Sequence, residues 1–217
     1  MGQTKTKFSI LVTGFGPSGK SSIVSVVTGN ASSSGGGGGG GTGNHSPGGI
    51  SRETLAYEGK TYTLVETRDV FKHRDCPKSD METFDGVIFV VDAAERRTIC
   101  ESEELLSRIV ADDAMNKCPI LIFLNKCDMD DALSDQDIVD GFSLHKIRGR
   151  RCNVFSVSAR VRGKHQKIVE GFEWLLRAIQ SIDDDDNVDV VDDTIPAIGK
   201  DKDENDNDNR SGGGRND

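Results

Sequence analysis

Residues 14–21 read GFGPSGKS. The glycines let the backbone wrap closely, so that N–H groups can point at phosphate oxygens. A lysine at position 20 can reach the β- and γ-phosphates of a nucleotide, and a hydroxyl at position 21 can ligate Mg²⁺. The candidate phosphate-binding set is therefore Gly14, Phe15, Gly16, Pro17, Ser18, Gly19, Lys20 and Ser21, with Ser22 following. The pattern G-x-x-x-x-G-K-[ST] gains weight from its surroundings. It follows an apolar run at 8–13 (FSILVT) and opens a helical stretch at 21–28, the context a phosphate loop requires. A glycine turn arising by chance has no reason to sit there.

A second group concerns the base. Asn125, Lys126, Cys127 and Asp128 end the apolar run 119–125 in the form N-K-x-D. A carboxylate here can accept from both N1–H and N2–H₂ of guanine, and adenine presents no such pair of donors. A buried partner left without its bond costs orders of magnitude in discrimination. The competing reading is a polar strand end with a capping Asp, which the phosphate loop about a hundred residues upstream makes the weaker one. Third in order come Ser158, Ala159 and Arg160 after the strand-like NVFSV, placed to close over the base with backbone N–H groups.

These residues need elements to hold them. GVIFVVD (86–92) and PILIFLN (119–125) are continuous apolar runs, as expected of central strands covered on both faces of a parallel sheet. Residues 53–66 (ETLAYEGKTYTLVE) read as a hairpin turning at Glu58-Gly59. Residues 96–111 and 166–181 carry apolar residues at helical spacing, and in the latter Ile168, Phe172, Leu175, Leu176 and Ile179 share one face. Such a stripe is core packing before it is a partner site. Alternating strands and helices imply an α/β fold with a mostly parallel sheet. Residues 30–49 include seven consecutive glycines and form a flexible insertion, whose length costs only about 0.6 kcal/mol per doubling in closure entropy.

The formal charge of −9 is unevenly spread. From Asp183 to Asp217 thirteen acids face four bases, so that tail carries the whole imbalance and the remainder is neutral. A neutral body has no electrostatic footprint for nucleic acid. The tail, rich in Asp, Asn and Gly with one weakly apolar patch at 194–198, is expected to be disordered. The division is a folded domain at 1–182 and an acidic tail at 183–217. The five cysteines, Cys76, Cys100, Cys118, Cys127 and Cys152, form no C-x-x-C pair, so neither a disulfide framework nor a zinc site is suggested. With a polar start and no apolar run long enough to span a bilayer, a cytoplasmic protein is expected.

The three motifs, in this order and spacing, resemble those of Ras-type small GTP-binding proteins. GVIFVVDAAERRTICESEELLSRIV, PILIFLNKCDMDDALSDQDIVDGF and VEGFEWLL are similar to the ADP-ribosylation factor (Arf) and Arf-like branch. The likeness runs from about residue 7 to 182 and is weakest over 30–85. It implies a Ras-like P-loop GTPase fold, GTP and GDP with Mg²⁺ as ligands, and a switch in vesicle traffic or signalling that meets exchange factors, GTPase activators and effectors. It implies phosphate contacts from the 14–22 set, guanine contacts from Asn125, Lys126, Asp128, Ser158 and Ala159, and Mg²⁺ at Ser21. Met1-Gly2-Gln3-Thr4-Lys5-Thr6 fits the myristoylation pattern at Gly2. One such chain gives marginal binding, so membrane association would be weak and peripheral. An Arf-like relative, the signal-recognition-particle receptor β subunit, carries a membrane-spanning N-terminus that is missing from this sequence. A P-loop ATPase is the reading against which Asp128 argues.

The resemblance falters at TLVETRDVFK (63–72). The family has D-x-x-G there, followed by a glutamine that orients the attacking water. Ungapped counting puts Glu66 at the magnesium aspartate, Asp69 at the glycine and Val70 at the glutamine. A three-residue slip would substitute Asp69, Lys72 and His73. The Mg²⁺-binding threonine of the first switch falls near Pro47, with Ser46 and Thr54 as stand-ins. The catalytic residues are thus unassigned. Slow intrinsic hydrolysis is expected, and the alternative is a pseudo-GTPase scaffold that holds nucleotide without switching.

Overall fold

The computed structural model describes residues 5–29, 50–67, 83–144, 147 and 149–184. The glycine-rich insertion, the candidate Gly2, Ser46 and Pro47, residues 69–73 and the tail from 185 lie outside the described residues.

Among the described residues six strands form one sheet: β1 (Lys7–Thr13), β2 (Ile50–Tyr57), β3 (Lys60–Thr67), β4 (Gly86–Asp92), β5 (Ile120–Asn125) and β6 (Cys152–Val157). Their order is β2-β3-β1-β4-β5-β6. Only β2 runs antiparallel, joined to β3 by the expected hairpin, in which Glu58 and Gly59 take positive φ of 48° and 73°. Paired positive φ values give the turn whose twist matches a hairpin. All seven residues of β4 and all six of β5 are buried, which is why those runs are apolar without alternation.

Among the described residues four helices cover the sheet: α1 (Lys20–Val27), α2 (Ile99–Val110), α3 (Asp135–Gly141) and α4 (Gln166–Asp184). The period-2 alternation of the strands sorts the core into two layers. Ile10, Val12, Ile88, Leu121 and Phe123 face α1 and α4, where they meet Ile23, Ile168, Phe172 and Leu176. Leu11, Val87, Phe89, Ile122 and Leu124 face the other way, toward Leu106 and Ile109 of α2 and Ile138 of α3.

The elements differ from the sequence reading in several places, and the hairpin begins at Ile50 rather than 53. The start of the expected 96–111 helix is a 3₁₀ turn, Arg96–Thr98, and the α-helix begins at Ile99. Helix α4 continues to Asp184, two residues beyond the expected domain limit. Helix α3 was not anticipated. It is started by a capping box in which Ser134 and Asp137 exchange hydrogen bonds, the sequence signal being S-x-x-D.

Candidate nucleotide site

β1 ends at Thr13, and the chain turns at Gly14, Gly16 and Gly19, with φ of 148°, 57° and 92°, before α1 starts at Lys20. A β-carbon on Gly14 would lie 2.0 Å from the carbonyl oxygen of Val90, and one on Gly19 would lie 2.2 Å from Asn125 Nδ2. The loop is thus pressed against the ends of β4 and β5, and only glycine fits at those two points. Lys20, 5% exposed, donates its ammonium to the carbonyls of Gly14 and Gly16, both at 2.8 Å. It therefore arches over the loop whose N–H groups it would assist. Gly19 caps α1 without a side-chain hydrogen bond, and the first turn holds no acid. The positive end of the helix faces the loop uncompensated from within the helix. Phe15 projects outward, 40% exposed, and Ser21 and Ser22 are exposed at the rim.

Ser21 donates its hydroxyl to Glu66 Oε1 at 2.6 Å. The end of β3 therefore arrives beside the start of α1, where ungapped counting puts the magnesium carboxylate. Both groups are hard oxygen donors of the kind Mg²⁺ takes, and among the described residues no group of three His, Cys, Asp or Glu side chains forms another metal site. Thr54 does not join them. It stands exposed in β2 opposite Thr63, three residues below Glu66, so the structure removes it as a stand-in for the switch threonine.

At the other end, Asn125 is 3% exposed and bridges two loops. Its Nδ2 donates to the Ser18 carbonyl at 2.8 Å, and its Oδ1 accepts from the Ala159 N–H at 3.0 Å. Lys126 adopts φ 70°, a left-handed conformation that is uncommon for a side-chain-bearing residue. Its ammonium is anchored by Asp92 Oδ2 at 2.5 Å, and the second oxygen of Asp92 accepts from Ala94 N–H. The hydrogen bond from the Ser158 side chain holds the Asp128 carboxyl below the usual carboxylate range, with Lys164 and Arg160 acting the same way. The His165 ring nitrogen Nε2 lies 3.0 Å from the Ala159 carbonyl, fixing the back of the loop.

The start of α1 and the two base-end loops border one cleft of about 750 Å³. It runs from Gly19, Ser21 and Ser22 to Lys126, Asp128 and Ala159, and ends against Arg160, Arg162 and His165. Phosphate-type donors thus stand at one end and a carboxylate flanked by a long cation at the other.

The sequence matches the model of the ADP-ribosylation factor family over residues 1–179. The chain belongs to the Arf family. A similar solved structure is that of the Arl6 (BBS3) small GTPase from Trypanosoma brucei, which carries a bound GppNp analogue. It is 21% identical, covers 81% of this chain and 99% of its own length, and superposes with a TM-score of 0.63. At that identity the likeness is one of fold, and the Ras-like α/β architecture expected from the sequence is the one observed.

In this Arf-family chain Pro17, Gly19, Ser21, Ser22, Asn125, Lys126, Asp128, Ser158 and Ala159 of the expected residues line the one cleft, while Gly14, Phe15, Gly16, Ser18 and Lys20 stand outside its lining. Asp92 was missed: it closes an apolar run, and its partner lies 34 positions away, so no local spacing announces it. His165 and Arg162 were missed for a similar reason, since they enter the cleft only because the 3₁₀ turn Arg162–Lys164 folds beside Ser158. None of the described cysteines lines the cleft. Burial pushes the Cys118 thiol up to about 11 and the Cys152 thiol up to about 12, values at which neither is a thiolate near neutral pH.

Proposed function

We propose that this Arf-family protein holds GDP or GTP in the cleft between residues 14–22 and Asp128, and that it hydrolyses GTP slowly as a switch in vesicle traffic or signalling. The observation that carries this reading is the Asn125 bridge, which makes the phosphate loop and the base end one rigid receptor. The loop N–H groups and Lys20 would bind the phosphates. Lys126 would lie along the base, Asp128 would accept from its N1–H and N2–H₂, and the Ala159 region would close over it. Mg²⁺, when bound, would screen phosphate charge. Ser21 and Glu66 would hold it, Glu66 reaching one methylene farther than the aspartate of the family.

A second reading rests on the same Ser21–Glu66 pair. That contact supports the ungapped count, which leaves Asp69 where the family has its γ-phosphate-sensing glycine and Val70 where it has glutamine. A carboxylate near the γ-phosphate repels it, and valine cannot orient water. Hydrolysis should then fall below the rate of about 10⁻⁴ s⁻¹ usual without an activator, and the protein would work as a nucleotide-holding scaffold. Acylation at Gly2 would add weak, peripheral membrane attachment to a cytoplasmic protein under either reading.

One experiment separates them. The purified full chain is analysed for retained nucleotide, titrated with GTP, GDP and ATP in Mg²⁺, and followed for phosphate release. Guanine-selective binding with measurable release supports the switch. Equal GDP and GTP affinity without release makes it a scaffold. Absence of guanine binding defeats both.

A further inference from the structure

Every residue of β4 is buried, yet the strand closes on a carboxylate. Asp92 is 6% exposed, and a charge held so far from water persists only where it is paired and hydrogen-bonded. Strand pairing supplies the partner. Asp92 stands opposite Asn125 in the β4–β5 register, and the Ala93 N–H donates to the Asn125 carbonyl at 2.9 Å. The residue after Asn125 is thereby delivered to the carboxylate. Lys126 donates to Asp92 Oδ2, and Asp92 Oδ1 accepts the Ala94 N–H at 3.1 Å.

Two carboxylates compete for that one ammonium. Asp128 follows Lys126 by two residues, on a turn closed by the Met129 N–H donating to the Lys126 carbonyl at 3.1 Å. Lys126 and Asp128 both line the cleft. A lysine stem is flexible and its ammonium is a point charge that a neighbouring carboxylate attracts. An ammonium resting on Asp128 would occupy the oxygens that the proposed function assigns to guanine. The other arrangement is the one observed. The ammonium turns back to Asp92 at the end of β4, and the charges that bear on the Asp128 carboxyl are those of Lys164 and Arg160. Burial favours this choice, because a pair with one buried member is screened less than a pair formed at the partly exposed Asp128.

We infer that Asp92 is a positioning residue for base specificity: by holding the Lys126 ammonium at the end of β4, it keeps the Asp128 carboxylate free of the lysine and open to the two N–H donors of guanine. Asp92 acts through Lys126 and not by touching the base. This role rests on the guanine reading of the cleft.

The test compares GDP with IDP, whose hypoxanthine keeps N1–H and lacks the 2-amino group. Both are measured on the full chain in Mg²⁺ by competition with a fluorescent guanine nucleotide. The unaltered protein should prefer GDP by about tenfold or more, since a site built to accept a hydrogen bond rejects the analogue that lacks the donor. Asp92→Asn keeps the size of the side chain and an acceptor for the Ala94 N–H while releasing the ammonium. Its GDP affinity should fall about tenfold, and its preference over IDP should shrink to about twofold. An equal loss for both nucleotides, with the preference intact, would make Asp92 structural only and overturn the inference. Lys126→Met removes the ammonium itself. In that background Asp92→Asn should alter the preference by less than about twofold, because residues that act as one unit are not additive. The double variant carries neither charge of the pair, so it decides the matter even if Asp92→Asn alone does not fold. A preference that collapses on adding Asp92→Asn to Lys126→Met would also overturn the inference. If the unaltered chain binds no guanine nucleotide, or binds GDP and IDP alike, the guanine reading itself fails. A GDP preference that ignores Asp92 removes this role alone.

Discussion

Asn125 reaches from the end of β5 to the Ser18 carbonyl at 2.8 Å and accepts the Ala159 N–H at 3.0 Å, so a single buried amide ties the phosphate loop to the base-closing loop. Asn125→Ala removes both bonds and leaves a carbonyl and an N–H unmatched. Stability should fall by about 2–3 kcal/mol, because buried groups left without partners bear their full desolvation cost. Guanine nucleotide affinity should fall at least tenfold. Denaturant unfolding and fluorescent-nucleotide titration read the two effects separately.

The depressed pKa of Asp128 gives a pH prediction with a definite sign. Its charged form is favoured in the fold, chiefly by the Ser158 hydroxyl. The stabilisation is present above the ordinary aspartate range and is lost as pH falls through the lower folded value. Ser158→Ala removes the main cause, so guanine binding should fail at a higher pH in the variant. Titrations between about pH 3.5 and 6 bracket the ordinary carboxylate range. Coincident acid limits would show that Ser158 does not set the ionisation of Asp128.

Gly14→Ala should be among the most damaging single changes in the chain. Its β-carbon would lie 2.0 Å from the Val90 carbonyl oxygen, at φ 148°. Backbone on backbone cannot yield by a rotamer change, and a cost of about 3 kcal/mol is expected from the clash and strain together. Gly16→Ala meets no atom within 4 Å and, despite its positive φ, should cost less. Thermal melts of the two variants make the comparison.

Glu66→Gln tests the magnesium arrangement. It keeps the length of the side chain and an acceptor for the Ser21 hydroxyl while removing the charge. The Mg²⁺ concentration needed to retain GDP should rise about tenfold, the scale of effect seen when a metal's supporting carboxylate is altered. Nucleotide loss against a magnesium titration is the readout. An unchanged midpoint would move the metal's carboxylate to another residue and weaken the ungapped count.

Legibility from sequence followed the range of the interactions involved. β4 and β5 could be read because their burial on both faces leaves no polar residue inside either run, and α4 because its stripe is local. The nucleotide residues could be read because their chemistry demands fixed residue types in short spacing. The Asp92–Lys126 ion pair and the entry of His165 and Arg162 depend on how the sheet brings separate loops together, and no window of the chain contains them. Thr54 was a candidate on type alone, and the register of the hairpin carried it away from the site. Glu66 is the opposite case: a residue unusual for its position, which the strand delivers to Ser21 across 45 residues.

The sheet order also dictates a schedule for folding. β1 is the first strand in the chain, yet its partners are β3, with Lys7 opposite Thr61, and β4, with Ile10 opposite Gly86. No hairpin can form around β1, so its two neighbours must arrive over long closures before it is secured. Parallel pairings of this range are slow to nucleate. During synthesis the β2–β3 hairpin is the first stretch of sheet that can close locally, so β1 waits as an unpaired apolar strand until β3 has emerged and keeps one edge open until β4 follows. That interval, rather than the finished domain, is where this chain is most exposed to aggregation.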